Sequence, residues 1–392
     1  MKSSIRFFQW FIGVGLLISP FCMWLPYFSP FEPPKVWFIV AWTILSLLVT
    51  VFFSIWHIGQ DRIMALLVFG LLSFLMVTSL GRQFFSSFFG NPYRQDGLLA
   101  LTALVTFAYV IALTWHKHAG AILFGYIGMG AALLSAWAVA ATVYSPLVPH
   151  AAWWLKGIAL SMGNPNYLGG YLGVALPFTA YNIHHIRYRR FWYAALFTQA
   201  VAIIATGSIG GMLALVLFVL FLFSKRIGSV GTMILAACII FSAIGLYTYT
   251  ARTTRLFGAI VAEDRVRILT KGLLAIKERP LTGWGWAQFS RAFSVIDWPY
   301  HYTVDAAVDR PHSSLLDMGV SGGIPALILF LALALRTLYL LGTRLSPDAR
   351  VLFFVTILYL VQSQTNITSI SEDLLFWLAI GVAMASCKSL PE

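Results

Sequence analysis

Apolar residues come in long blocks along this chain, and polar ones gather in clusters between them. Runs of roughly 15 to 23 apolar residues are long enough to cross a bilayer core. They fall near 7–24, 36–56, 63–80, 98–115, 121–143 and 167–181, and again near 191–206, 210–223, 227–248, 313–335, 351–364 and 371–386. The pattern predicts an all-α, polytopic membrane protein with about twelve transmembrane helices, a single integral membrane domain over residues 1–392. The N-terminal MKSSIRFFQWFIGVGLLI sets basic residues before an apolar run, as a signal peptide does, but no small-residue cleavage site follows. It reads as an uncleaved first span.

One interruption is much longer than the rest. Residues 249–312 are the predicted large external loop, and they are not low-complexity linker. EDRVRILTKGLLAIKERP places Val266, Leu269, Leu273, Leu274 and Ile276 at helical spacing among Arg265, Arg267, Lys271 and Lys277, and it stops at Pro280. An amphipathic helix at the membrane face is expected. LTGWGWAQF then supplies a glycine turn with interfacial aromatics. Pro311 breaks regular structure, so the next span starts at His312 or just after it. Upstream, the Asn164-Pro165-Asn166 turn opens the sixth span.

Composition agrees with this pattern: 59% of residues are hydrophobic and 10% charged, which excludes an ordinary soluble domain. The net charge of +12 would suit nucleic acid, but the basic residues are scattered between apolar runs rather than gathered on a polar face. Membrane topology explains them better. Lys2, Arg6, Arg62, Lys117, Arg187, Arg189, Arg190, Lys225, Arg226, Arg336, Arg344, Arg350 and Lys388 collect on one side, expected to be cytoplasmic. Short loops on the other side hold Lys35, Arg82, Arg94 and Lys156. Both termini are then cytoplasmic. Cys22, Cys238 and Cys387 lie within or at the ends of apolar runs without metal-ligand spacing, so neither a disulfide nor a zinc site is expected.

The candidate chemistry gathers in the long loop. A lone His at a span boundary is more often an anchor than a catalyst, but His312 shares its loop with Arg252, Arg255, Arg265, Arg267 and Arg310. A titratable base among guanidiniums suits an anionic donor whose leaving group is a diphosphate. Pairing with Glu263, Asp264 and Glu278, or with lipid phosphate, would account for about half of these cations. Asn164 and Asn166 either cap a span or line a sugar path, and Gly169, Gly170 and Gly173 read first as close helix packing. Glu372 and Asp373 should face the protein interior or water and pair with a loop arginine, with catalysis the lesser reading. A twelve-span transporter is the alternative class; the lack of half-to-half similarity and of mid-membrane charges counts against it.

EDRVRILTKGLLAIKERPLTGWGWAQF, then HSSLLDMGVSGGIPALILF, with GNPNYLGGYLGVALPF and FFGNPYRQDGLLAL upstream, resembles the O-antigen ligase and polymerase superfamily of bacterial envelope glycosyltransferases. The family pattern runs from an Arg through an amphipathic helix to Pro-Leu-x-Gly-x-Gly, then His-Asn-x-x-Leu and Gly-x-Pro within the next span. Here Arg265 precedes Pro280 by fifteen residues, His312 is followed by Leu316, and Gly323-Ile324-Pro325 falls in place. The resemblance covers roughly residues 80 to 390.

It implies a metal-independent enzyme without cofactor, set in the bacterial cytoplasmic membrane with its active site facing outward. The enzyme would move a glycan from undecaprenyl diphosphate to a lipid- or polymer-bound glycan acceptor. A polysaccharide polymerase, or a ligase acting on protein or a wall polymer, is the near alternative. His312 and Arg265 are the implied catalytic pair, and Arg267, Arg94, Arg310, Asn164 and Asn166 are the candidate substrate-binding residues. Two positions depart from the family: Ser313 stands where Asn is usual, and Ile209 where many members carry Arg. Arg267 and Arg94 are the first choices to replace that arginine.

Overall fold

The structure is a computed structural model that describes residues 2–55, 60–81, 83–116, 119–144, 159–227, 260–297, 308–344 and 346–385. Its helices are α1 (Lys2–Ile18), α2 (Glu32–Phe52), α3 (Arg62–Thr78), α4 (Phe84–Phe89), α5 (Leu98–Thr114), α6 (Ala119–Tyr144) and α7 (Pro165–His185). They continue as α8 (Arg189–Thr206), α9 (Ile209–Ile227), α10 (Ile260–Glu278), α11 (Phe289–Val295), α12 (Ser314–Thr343), α13 (Pro347–Gln362) and α14 (Ile370–Met384). Among the described residues there is no strand, only an isolated bridge between Gln60 and Ala385. Helices occupy eleven of the twelve predicted runs, and the run at 227–248 lies outside the described residues. Three of them, α2, α6 and α12, are long and apolar enough to cross a membrane. An all-helical membrane protein is the result.

Side chains set the helix starts. Asn164 accepts the Asn166 N–H ahead of Pro165, Asp61 accepts from Met64, Ser313 from Leu316, and Ser346 from Ala349. Each satisfies a first-turn donor that has no partner within its own helix. The most enclosed helix is α14, packed on α5, α7 and α13. Its Gly381 comes so near α5 that an added Cβ would sit 2.6 Å from the Ala108 carbonyl oxygen. The glycines of α7 serve the same purpose: a Cβ on Gly173 would meet Ala214, one on Gly169 would meet Ser208, and one on Gly170 would meet Gln362 and Glu372. The close-packing reading of this stripe therefore holds.

Helix α12 differs from its expected span in two ways. It runs on to Thr343, because Arg336 does not end the helix but donates to Asp61 at 2.6 Å. It also breaks at Gly322 and Gly323, where the backbone leaves helical geometry. The cause is hydrogen-bond bookkeeping around Pro325, whose missing N–H leaves the Ser321 carbonyl without its helical donor. The turn at 280–286 repairs the gap. Gly285 N–H donates to Ser321 at 3.0 Å, Trp284 N–H to Val320 at 2.8 Å, and Ile324 N–H to Pro280 at 2.7 Å. Both partners come within backbone contact, and the left-handed φ of Gly283 and Gly323, 64° and 69°, lets the chain turn there. A Cβ on Gly323 would lie 2.4 Å from the Pro280 carbonyl oxygen.

The amphipathic helix appears as α10, but with a different buried face. Ile268, Ala275, Arg267 and Lys271 are buried, while Leu273 and Leu274 are exposed. The two long basic stems pack against α11: Lys271 Nζ donates to the Phe293 carbonyl at 2.7 Å, and the Arg267 guanidinium lies 5.1 Å from the Phe293 ring centre. Cation–π stacking lets these heads sit under apolar cover.

Gly323→Ala should lower stability by about 1–3 kcal/mol from backbone strain alone, and more if Pro280 cannot move. Gly70→Ala, on the open side of α3 with nothing near its added methyl, should leave stability unchanged or raise it. Melting curves of the two variants in detergent check the contrast.

Candidate functional site

Where α12 begins, the chain forms a cavity of about 100 Å³ with charged and apolar residues in its lining. His312 sits at its wall, half-buried, two residues before the helix, with φ at 56°. That value is rare for a residue with a side chain, and surrounding contacts must impose it. On the helix side Ser313 caps α12 and donates to Gln364 Oε1 at 2.8 Å, while the Ser314 hydroxyl meets that of Ser363 at 2.9 Å. The hydroxyl that replaces the family's amide is thus the anchor to the end of α13.

On the other side Arg310 is buried and fully engaged. It reaches Asp96 at 2.9 Å and Asp317 at 2.5 Å, donates to the Asp96 carbonyl at 3.1 Å, and lies 5.1 Å from the Trp286 ring centre. Trp286 is itself fixed, its backbone N–H donating to Ser79 Oγ at 2.9 Å and its indole N–H to the Asp96 carbonyl at 3.0 Å. Burial works against the guanidinium charge, but Asp317 and Asp96 outweigh it and hold Arg310 above its ordinary value. Next to it Arg94 pairs with Asp309 and stands over the Tyr167 ring. Burial pushes the Asp309 carboxyl up, but the Arg94 charge, the Arg94 hydrogen bond and the Arg310 charge together outweigh it and leave it below its ordinary 3.8.

Arg94, Arg310 and His312 therefore line one cavity, together with Asp96, Asp317 and Asp373. A second, wider groove of about 380 Å³ shares Arg94 and Glu32 with it and is also lined by Asn91, Asn164 and Asp309. Asn164 thus lies with Arg94, while Asn166 contributes its backbone N–H to the α7 cap and lines neither space. Arg267 is buried beneath Phe293 and lines neither. Arg265 belongs to α10, and its side chain falls outside the described residues, as do Arg252 and Arg255. Ile209, at the start of α9, is exposed.

Asp373 takes a hydrogen bond from the Tyr359 hydroxyl at 2.8 Å rather than from a loop arginine. Glu372 is fully buried, with neither oxygen hydrogen-bonded among the described residues. The partners that hold the arginines, Asp96, Asp317 and Trp286, were not singled out as site residues in the sequence. Their signal was present: a carboxylate at the edge of an apolar span needs a cation nearby.

The fold and this cavity define a helical membrane protein with a histidine and carboxylate-paired arginines at one end of its bundle. Residues 194–331, about a third of the chain, match the family model described as O-Antigen ligase. The matched stretch includes Arg265, Arg267, Arg310 and His312, with Arg94 and Asn164 outside it. No curated protein matches the chain. The match supports a glycosyltransferase-like protein of the O-antigen ligase type.

Arg310→Ala should destabilise by about 3–5 kcal/mol, because it leaves two carboxylates without their buried partner. The acid response follows from Asp309. Its carboxyl is held below 3.8, so its pairing with Arg94 contributes fully above that pH and is lost as pH falls through the lower folded value. Asp309→Asn should therefore show a shallower loss of melting temperature on acidification below the ordinary carboxylate range than the unmodified protein.

Proposed function

We propose that the protein transfers a glycan from an undecaprenyl-diphosphate carrier to an acceptor at the outer face of the cytoplasmic membrane, as an O-antigen ligase does. The observation that carries this reading is the placing of His312 in one cavity with Arg94 and Arg310, within or beside a matched ligase domain. In this reading both termini are cytoplasmic, about twelve helices span the bilayer, and residues 249–312 form the external loop.

The chemistry asks for a base and a stabilised leaving group. An acceptor hydroxyl gives its proton to His312 while its oxygen bonds to the anomeric carbon, and the bond from that carbon to the carrier diphosphate breaks. The departing diphosphate takes the electron pair, and guanidiniums stabilise its charge. Arg265 is assigned to that role. Arg94 is the better replacement for the arginine missing at Ile209, because it faces both spaces and an anion there competes with one carboxylate. An anion at Arg310 would compete with two. Arg310 therefore acts mainly to hold the segment before His312, and Asn164 offers a polar contact to a sugar in the wider groove. Because the diphosphate is already an activated leaving group, transfer is expected to persist in a chelator.

Purified protein is incubated with undecaprenyl-diphosphate glycan and candidate acceptors, and the product is identified by mass. His312→Ala and Arg265→Ala should each lower transfer by roughly 10²–10⁴-fold while still inserting and expressing. A His312→Ala protein that turns over at the unmodified rate refutes the assignment of the base. Arg94→Gln should weaken transfer more than Arg267→Gln, and the reverse order would move the diphosphate contact to α10.

A further inference from the structure

At the end of the bundle far from His312, the last turn of α7 meets the start of α13: the Tyr181 hydroxyl donates to Asp348 at 3.0 Å. The start of α6 joins them, since a Cβ on Gly120 would lie 2.1 Å from Asp348 Oδ2. The length of α12 sets this end on the order of 40 Å from the cavity. Here the chain turns from α7 into α8 through Arg187, Tyr188, Arg189 and Arg190, all exposed. An open groove of about 540 Å³ lies beside them, lined by Met129 of α6 and by Tyr188, Arg189, Arg190 and Phe191.

Its two components belong together. Met129, Tyr188 and Phe191 give the groove apolar walls, and Arg189 and Arg190 line it beside them. Among the described residues no ion pair involves Arg187, Arg189 or Arg190, and the first turn of α8 has no acidic residue. Leading away from these charges, α6 and α8 pack side by side and expose Leu133 on one and Tyr193, Phe197 and Ile204 on the other. A free anion would satisfy the guanidiniums but leave the apolar seam bare, and a lipid without net negative charge would cover the seam but leave the excess positive charge uncompensated. Only an amphiphile with one anionic end matches both.

We propose that this groove binds an anionic phospholipid, its phosphate held by Arg189 and Arg190 and an acyl chain lying along the seam between α6 and α8. The site is independent of the glycan-transfer reading and of His312. It gives the basic turn a ligand in addition to its effect on topology.

The test uses the full chain in detergent with three probes: dioleoylphosphatidylglycerol, dioleoylphosphatidylcholine and inorganic phosphate. Retained lipid is counted by native mass spectrometry, and protection is read from the melting temperature. Phosphatidylglycerol should be retained, and should protect, at several-fold lower concentration than phosphatidylcholine. Arg189→Gln/Arg190→Gln should erase that preference, and Met129→Trp, which fills the groove without touching the charges, should weaken retention of both lipids. Equal behaviour of the two lipids on the unmodified protein overturns the proposal, as does a preference that survives the double substitution, or retention of both lipids unchanged by Met129→Trp. Protection by inorganic phosphate matching that of phosphatidylglycerol would also overturn it, in favour of a site for the anion alone.

Discussion

A buried guanidinium must be surrounded by acceptors or the fold that buries it is lost, and Arg310 is where this protein meets that requirement. Asp96 reaches it from the turn before α5, Asp317 from the first turn of α12, and Trp286 covers it from the glycine turn after α10. Three segments distant in sequence are thus fixed to one side chain. Desolvating three charged groups is expensive, and complete pairing with good geometry is what offsets it. The segment that carries His312 inherits its position from this arrangement.

The same pairing changes the electrostatic character expected of the site. From sequence the histidine shares its loop with arginines of which about half are expected to be paired; in the folded chain Arg94 and Arg310 both carry carboxylate partners. A substrate anion must therefore exchange with a carboxylate rather than fill a bare positive hole.

Helix positions were legible because a bilayer-length apolar run has few ways to satisfy its backbone other than a helix. The caps at Asn164 and Asp61 and the start of α12 just after Pro311 follow local rules that a sequence displays directly. The kink at Gly322–Gly323 was not legible, since it depends on donors delivered by a turn some forty residues earlier. Arg267 shows the same limit. Its spacing marks it as a polar-face residue, yet α11 supplies an aromatic lid that no periodicity within α10 could reveal. His312, Arg94 and Arg310 could be nominated from sequence, but the partners that decide how freely each cation acts lie in other segments.

The break in α12 also has a mechanical meaning. Hydrogen bonds to the turn at 280–286 replace helical ones at the joint, so the half bearing Asp317 is tied to that turn and the half bearing Arg336 to Asp61. A continuous helix would pass a twist from one end to the other as a stiff rod. This one is hinged and clamped at mid-length, so torsion applied near Arg336 is taken up before it can rotate the imidazole.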